Sequence, residues 1–234
     1  MSGIDYTEKE LKEIKDNVDL VKNLTTDEII DKVQQIRKSS EFTKIHNENP
    51  TELVTLMPEL LYRTKGVPQE GIDKDRKWGN SFEINTTQYL AVYSLLKSKN
   101  PTIAGIGTGE GKSRIMMISI ACQWALGLTI DFVTADVSLA TRDYLDYQAY
   151  FKSFDAQTNL ITAQTPVGQY RLNGINFSDA SNLSLFRNKA RSQGLGDQVI
   201  NKDKINRCLL LDEADKTLPA YALDSTQVKT YALD

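Results

Sequence analysis

The residues best suited to chemistry form a glycine-rich run between a short apolar segment and a helical pattern. This run reads Gly107-Thr108-Gly109-Glu110-Gly111-Lys112-Ser113. Glycines let the backbone approach a ligand closely and direct successive N–H groups at it, and the N-terminus of the following helix adds a favourable dipole for an anion. The run therefore predicts a loop that binds phosphate groups.

Two side chains in this loop suit a bound nucleotide. Lys112 is expected to neutralise the β- and γ-phosphates, and Ser113 to place its hydroxyl on Mg²⁺. The strict Walker A pattern has glycine where this chain has Ile106, whereas the looser helicase-type pattern fits throughout. The alternative interpretation is a glycine-rich turn with a chance lysine. It is disfavoured because the preceding strand, the glycines, the lysine and the hydroxyl all fit the phosphate-loop pattern.

A second candidate set follows an apolar run near the end of the sequence. Cys208–Leu211 is continuously apolar, which is typical of a central parallel strand, and it precedes Asp212-Glu213-Ala214-Asp215. Because ligands of open α/β sheets bind at the carboxyl edge, these carboxylates are expected beside the phosphate loop. Asp212 would hold the Mg²⁺ shell, and Glu213 would orient and deprotonate the attacking water. The competing interpretation is a charged loop or a helix N-cap.

Apolar runs that alternate with helical patterns after residue 82 would position both sets. Strands are predicted at Thr102–Ile106, Leu128–Ala135, Asn159–Thr162, Gly174–Phe177 and Arg207–Leu211. Strands separated by helices indicate a parallel sheet with crossover connections, as in an α/β P-loop NTPase. The sequence Tyr-Ala-Leu-Asp begins at both 221 and 231, and we interpret this repetition as coincidence.

Helices are predicted throughout the first 65 residues. Thr7–Glu10 and Thr25–Glu28 each place a hydroxyl three positions before a carboxylate, which is the capping-box pattern, and Pro50-Thr51 opens a third helical segment. The polar, turn-rich run 66–80 predicts a linker. We therefore predict a helical N-terminal region with linker over residues 1–81 and a nucleotide-binding domain over 82–234.

The composition indicates an ordinary globular protein, with 40% hydrophobic and 25% charged residues. Its net charge of −3 lacks the basic excess typical of nucleic-acid binders. Cys122 and Cys208 stand far apart in apolar surroundings, so buried thiols are predicted rather than a zinc site or disulfide. His46 is the sole histidine, which excludes a His-based triad. No secretory signal is recognisable at the start, and a cytoplasmic location is expected.

These segments together resemble one family, the SecA motor ATPases of preprotein translocation. The family's loop reads T-G-E-G-K-T where this chain has Thr108–Ser113, and Glu110 distinguishes it from DEAD-box RNA helicases, which generally have serine there. Residues 133–143 are similar to the family segment V-T-V-N-D-Y-L-A-Q-R-D. The helical lead-in of the family is matched by residues 24–28 and 56–59.

The resemblance implies a RecA-like fold, ATP and Mg²⁺ as ligands, a polypeptide substrate, and a membrane translocation machinery to which the protein docks peripherally. It also implies a glutamine that contacts adenine. Gln88 is the preferred counterpart, and Asn85 is the competing candidate three residues earlier. The sequence departs from the family over 177–187, which only faintly matches Y-G-T-N-N-E-F-G-F-D-Y-L-R-D, and it lacks the D-E-A-R-T stretch after the acidic motif.

The same resemblance implies a second RecA-like half that contributes an arginine to hydrolysis. No arginine follows Arg207, so residues 1–234 alone are expected to bind nucleotide weakly and hydrolyse it slowly. The leading hypothesis is the ATPase motor of a protein translocase. The alternatives are an RNA or DNA helicase fragment and a nucleotide-binding interaction module without turnover.

Overall fold

A computed structural model describes residues 7–39, 50–64, 84–98, 102–107, 109–196, 199, 206–213, 217 and 229–233. Several sequence predictions fall outside these residues. They are the linker 66–80, the domain boundary near residue 82, and the positions of His46, Thr108, Ala214 and Asp215.

Helices precede the sheet and then alternate with its strands. The helices are α1 Glu8–Lys22, α2 Thr26–Ser39, α3 Thr51–Thr64, α4 Thr86–Lys97, α5 Lys112–Ala125, α6 Val137–Asp146, α7 Gln148–Ser153 and α8 Ala180–Ser192. The strands are β1 Thr102–Ala104, β2 Thr129–Thr134, β3 Thr158–Leu160, β4 Ile175–Asp179, β5 Arg207–Asp212 and β6 Lys229–Leu233. A short 3-10 helix covers Val167–Gln169. Of the helices described, none combines the length and the apolar character needed to cross a bilayer.

The strands form one six-stranded sheet in the order β1-β6-β5-β2-β4-β3. Every pair is parallel, so the predicted α/β architecture with crossover connections is confirmed. The five strands expected from sequence are present, with ends shifted by up to two residues. Such shifts are normal because hydrogen bonding, and not apolar character, determines where a strand ends.

Strand β6 was not predicted from the sequence. It pairs with β1 on one side and with β5 on the other. It contains the Tyr-Ala-Leu of the copy that begins at 231, whereas the copy at 221 lies outside the described residues. Its sequence, Lys-Thr-Tyr-Ala-Leu, has neither an apolar run of four residues nor strict alternation, so the sequence alone did not indicate a strand.

Capping boxes start the first two helices, as predicted. Thr7 Oγ1 accepts from the Glu10 backbone N–H at 3.2 Å, and the Glu10 carboxylate accepts from the Thr7 N–H at 2.7 Å. Thr25 and Glu28 make the same reciprocal pair at 3.2 and 2.6 Å. Caps of this type contribute about 1 kcal/mol each to helix stability.

The N-terminal helices and one face of the sheet share a hydrophobic core. Helix α3 is buried almost all round, which follows from its nearly continuous apolar sequence, and it packs between α1, α2 and α5. Helix α1 is fixed to α4 where Glu10 Oε1 accepts from Tyr93 Oη and Lys97 Nζ, each at 2.7 Å. The hydrogen bond from Lys97, together with those from Thr7 and Tyr93, lowers the pKa of Glu10 to about 2.

Alternate residues of each strand point to opposite faces of the sheet. In β5, Cys208 and Leu210 face the core shared with the N-terminal helices, while Leu209 and Leu211 face a second cluster with α8. Both faces of the sheet are therefore covered, as expected for parallel strands. The prediction of buried thiols is confirmed, since both cysteines are free and buried, and burial raises the pKa of Cys122.

A buried charged cluster lies on the α8 side of the sheet. Asp131 of β2 is fully buried; its carboxylate accepts from Tyr170 Oη at 2.8 Å and from Arg187 Nη2 at 3.2 Å, and Arg207 Nε lies 3.7 Å away. Burial and the neighbouring Asp131 charge raise the pKa of Tyr170 well above its ordinary value. The cluster thereby connects β2, β5, α8 and the segment before β4.

We expect Asp131→Asn to lower the free energy of unfolding by about 3 kcal/mol, because it removes the buried carboxylate charge that faces Arg187 and Arg207. Urea denaturation followed by circular dichroism measures the change. The matched control is Asp16→Asn, which breaks an exposed pair with Lys12 and should leave stability nearly unchanged. Equal effects of the two substitutions would contradict a structural role for the cluster.

Candidate functional site

The register of the sheet brings the two predicted sets to the same edge. Ala104, the last residue of β1, and Asp212, the last of β5, both pair with Leu233 of β6. One strand lies between them, so their backbones are about 10 Å apart across the sheet. The glycine-rich loop that follows β1 and Glu213 that follows β5 therefore leave the sheet side by side at its carboxyl edge.

The loop adopts a conformation that two of its glycines make accessible. Gly109 and Gly111 have φ values of 86° and 81°, in the left-handed region that residues with a Cβ rarely enter. Between them the Glu110 N–H donates to the Gly107 carbonyl at 3.2 Å, which closes a turn. The glycines at these two positions are thus required by the backbone path of the loop.

Helix α5 begins without a capping side chain. Its N-cap is Gly111, and Lys112 and Ser113 occupy its first turn, both partly buried. Five other helices of the described residues begin with side chains that accept from first-turn N–H groups, namely Thr7, Thr25, Asn85, Asp136 and Asp179. A glycine at this position leaves the N–H groups and the positive end of the helix dipole to a ligand, which is the arrangement that binds anions.

The first turn of α4 touches the loop through Gln88. Its Nε2 donates to the Glu110 carbonyl at 2.8 Å, and its Oε1 accepts from the Asn85 N–H at 3.1 Å. Asn85 caps the helix by accepting from the Gln88 N–H at 2.9 Å, and its side chain is exposed. Both candidates for the adenine contact are therefore beside the loop, and which of them contacts a base stays a prediction.

The corner after β5 is strained and tied down. Glu213 has a φ of 51°, unusual for a residue other than glycine, which costs about 1 kcal/mol or more. Its N–H donates to Asp212 Oδ1 at 3.1 Å. The buried Thr217 donates its N–H to the Glu213 carbonyl at 3.0 Å and its hydroxyl to the Asp212 carbonyl at 3.2 Å. Strain maintained in this way is typical of functional positions.

Charges of both signs converge at this edge. Burial raises the pKa of Asp212, and the negative charges of Glu213 and Asp143 raise it further, while the Glu213 N–H and the positive charge of Lys112 oppose the shift. Asp212 therefore lies within electrostatic range of both Lys112 and two other carboxylates. A cation bound here would offset the repulsion between the carboxylates.

Asp143 was not predicted as a site residue. It lies on α6 with only 2% of its surface exposed, and its Oδ1 accepts from Arg142 Nη2 at 2.8 Å and from Arg142 Nε at 3.0 Å. The sequence contained a signal for it, because the pair Arg142-Asp143 matches the SecA segment. That signal said nothing about its distance from Asp212, which depends on how α6 packs against the sheet.

No group of three or more His, Cys, Asp or Glu side chains in the described part of the chain has the geometry of a metal site. Ser113 and Asp212 nevertheless offer a hydroxyl and a carboxylate at the same edge, and oxygen donors of this kind suit Mg²⁺, which usually keeps several waters and takes the rest of its shell from phosphates. The donor types thus fit the predicted ion, and the assignment of these two ligands stays a prediction.

Comparison with known families decides the class of the domain. A family model, the SecA DEAD-like domain, matches residues 2–181. The chain belongs to this family. The match includes the helical N-terminal region, Gln88, the glycine-rich loop and the segment 133–143, whereas Asp212 and Glu213 lie beyond it. A search among curated proteins gave no match for the chain.

Membership confirms the resemblance inferred from the sequence. The chain has the N-terminal domain of the SecA-like DEAD type, a RecA-like α/β fold preceded by helices, in a family of P-loop ATPases. The helical lead-in of this family therefore corresponds here to α1, α2 and α3, which pack against α4 and α5 beside the sheet.

Substitution of Gly111 tests the loop geometry. A Cβ at Gly111 would overlap Gln88 Nε2 and would also require φ near +81°, so we expect Gly111→Ala to cost more than the roughly 1–2 kcal/mol of a left-handed residue alone. Gly109→Ala is the matched control, because its φ is similar and, among the described residues other than its chain neighbours, no atom lies within 4 Å of the added Cβ. Urea denaturation measures the loss in free energy of unfolding for both variants. Equal losses would show that the close approach of Gln88 adds nothing to the cost of the substitution.

Proposed function

We propose that this protein is the ATP-binding and ATP-hydrolysing motor domain of a SecA-like translocase, which drives polypeptide movement across a membrane. The observation that carries the proposal is the juxtaposition of the glycine-capped N-terminus of α5 with Asp212 at the end of β5. A helix end prepared for an anion beside a half-buried carboxylate is the arrangement that a metal-bound nucleotide requires.

The loop residues are assigned to the phosphates. The proposed contacts are Gly107, Thr108, Gly109, Glu110, Gly111, Lys112 and Ser113. Backbone N–H groups at the start of α5 would hold the phosphate oxygens, and the Lys112 ammonium would neutralise the β- and γ-phosphates. The adenine contact is assigned to the first turn of α4, where Gln88 and Asn85 are the candidates.

The acidic residues are assigned to metal and water. The Ser113 hydroxyl and the Asp212 carboxylate would hold Mg²⁺, which when bound supplies positive charge to the transferring phosphoryl group. Glu213 would orient the attacking water and accept its proton. The strained backbone at Glu213, tied through Thr217, supports this role because it directs the residue away from the strand at the carboxyl edge.

Family membership also supports the proposed partners. We assign the polypeptide substrate and the membrane translocation machinery by analogy with SecA motors, and a second RecA-like half as the source of the arginine that completes phosphoryl transfer. The division into residues 1–81 and 82–234 and a cytoplasmic, peripherally membrane-docked location belong to the same proposal. The net charge of −3 favours a polypeptide over a nucleic-acid substrate.

Lys112→Ala should weaken ATP binding by about 1.5–3 kcal/mol, because it removes a charge-assisted contact with the phosphates. Isothermal titration in the presence of Mg²⁺ measures the change. Lys152→Ala removes an exposed lysine of α7 and serves as the control. If Lys112→Ala binds ATP as tightly as the unmodified protein, the phosphate-loop assignment is wrong.

Glu213→Gln should leave ATP binding intact in the full-length protein and slow hydrolysis by about 10² or more, as expected when a general base is lost. Steady-state phosphate release and ATP titration are measured on the same preparation, with Glu52→Gln on the exposed surface of α3 as control. Normal turnover would remove Glu213 from the catalytic role. Tight ATP binding without turnover in the unmodified full-length protein would instead favour the nucleotide-binding interaction module. Salt-dependent binding of single-stranded RNA would favour the helicase.

A further inference from the structure

We propose that Thr217 is a positioning residue, which holds the backbone of Glu213 in the conformation that directs its carboxylate at the attacking water. The inference deepens the proposed function and rests on it, because Glu213 is the proposed general base. It assigns a role to a residue that lies outside both the acidic motif and the segment matched by the family model.

Glu213 has a backbone conformation that its residue type does not favour. Three described residues other than glycine have positive φ, namely Asp155, Asn173 and Glu213, at 60°, 57° and 51°. Aspartate and asparagine enter this left-handed region several times more often than other residues, whereas glutamate has no such preference. The conformation at Glu213 therefore depends on contacts with the surrounding structure.

Thr217 supplies contacts on both sides of Glu213. Its hydroxyl oxygen lies 3.2 Å from the Asp212 carbonyl oxygen and 3.1 Å from the Glu213 carbonyl oxygen, and its N–H donates to the Glu213 carbonyl at 3.0 Å. A hydroxyl has a single proton, so the two carbonyls share it in a three-centre hydrogen bond. Only 1% of the Thr217 surface is exposed, so water does not compete for these bonds.

These bonds fix the direction in which the Glu213 side chain leaves the backbone. Rotation about φ and ψ of a residue turns the two planar peptides that flank it. The Asp212 carbonyl belongs to the peptide before Glu213, and the Glu213 carbonyl belongs to the peptide after it. Because Thr217 binds both carbonyls, both torsion angles of Glu213 are restrained, and the Cα–Cβ bond of the proposed base has one direction.

The peptide before Glu213 also holds the proposed metal ligand. The Asp212 carbonyl and the Glu213 N–H are the two ends of this trans peptide, and the N–H donates to Asp212 Oδ1 at 3.1 Å. Rotation of the peptide would release the Asp212 carboxylate at the same time as it turns Glu213. Thr217 thus couples the orientations of both carboxylates through a single backbone unit.

The contacts of Thr217 differ from those of an ordinary helical threonine. Thr55 and Thr64, which are equally buried in α3, donate to carbonyls four residues earlier, and Thr55 also reaches the carbonyl three residues earlier. The Thr217 hydroxyl instead reaches carbonyls four and five residues earlier, which flank the strained residue. Thr55 is therefore a matched control for the loss of a buried threonine hydroxyl.

Thr217→Val keeps the shape and the backbone N–H of the residue and removes the hydroxyl. In the full-length protein we expect phosphate release at saturating MgATP to slow by about tenfold to hundredfold, because the base is displaced, while the ATP affinity measured by calorimetry stays within about threefold. Thr55→Val should leave turnover unchanged. Equal turnover in the two variants would overturn the proposal, as would a loss of ATP affinity with normal turnover.

Thr217→Ser tests whether the hydroxyl is the group responsible. Serine retains the hydroxyl and lacks the methyl group, so this variant should hydrolyse ATP nearly as fast as the unmodified full-length protein. A serine variant as slow as Thr217→Val would assign the effect to packing of the methyl group and overturn the proposal.

A double-mutant cycle tests whether Thr217 acts through Glu213. In a Glu213→Gln background, Thr217→Val should slow the residual hydrolysis by less than about threefold, because the group that it positions has already lost its function. A further loss as large as that in the unmodified background would show that Thr217 acts on another part of the site, and the positioning role would be wrong.

Hydrogen exchange without nucleotide reports on the backbone itself. In Thr217→Val the Glu213 amide should exchange faster, because the peptide that presents it to Asp212 Oδ1 is released, while the amides of β2 and β4 keep their protection. Equal protection of the Glu213 amide in Thr217→Val and in the unmodified protein would refute the positioning role. Failure of the proposed function is distinguishable, because the unmodified full-length protein would then neither bind nor hydrolyse ATP, whatever the exchange result.

Discussion

The pairing of β6 with both β1 and β5 is the constraint on which the candidate site depends. Through this one short strand the backbone hydrogen bonds of the sheet place Ala104 and Asp212 in a single row. The phosphate loop and the acidic corner are separated by about 100 residues of sequence, and this row brings them to the same edge of the sheet. Any change that shifts the register of β6 would displace one set relative to the other.

The helices also support the glycine-rich loop. Helices α1, α2 and α3 bury their apolar faces against α5 and α4 in one continuous core, and Glu10 connects α1 to the last turns of α4. Gln88, in the first turn of α4, then meets the Glu110 carbonyl. The helical N-terminal region is thus part of the structure that holds the glycine-rich loop, and not merely an appendage to the sheet.

Several energetically unfavourable features lie together at the candidate site. Glu213 has a strained backbone, the pKa of Asp212 is raised by burial and by neighbouring carboxylates, and α5 begins without a capping side chain. Away from this edge, buried charge is paired, as in the Asp131 cluster with Arg187. Local costs gathered at one sheet edge are what a ligand of opposite charge and suitable shape would relieve.

The sequence alone determined the elements whose signals are local. Capping boxes at Thr7 and Thr25, the strand before Asp212 and the glycines of the loop follow from neighbouring residues, because caps, apolar runs and positive φ are properties of short segments. Strand β6, the electrostatic effect of Asp143 on the pKa of Asp212 and the hydrogen bond from Gln88 to the loop were decided by the tertiary structure. Each of these features joins segments that are distant in the chain. A local sequence pattern does not show which distant residues will be brought together by packing.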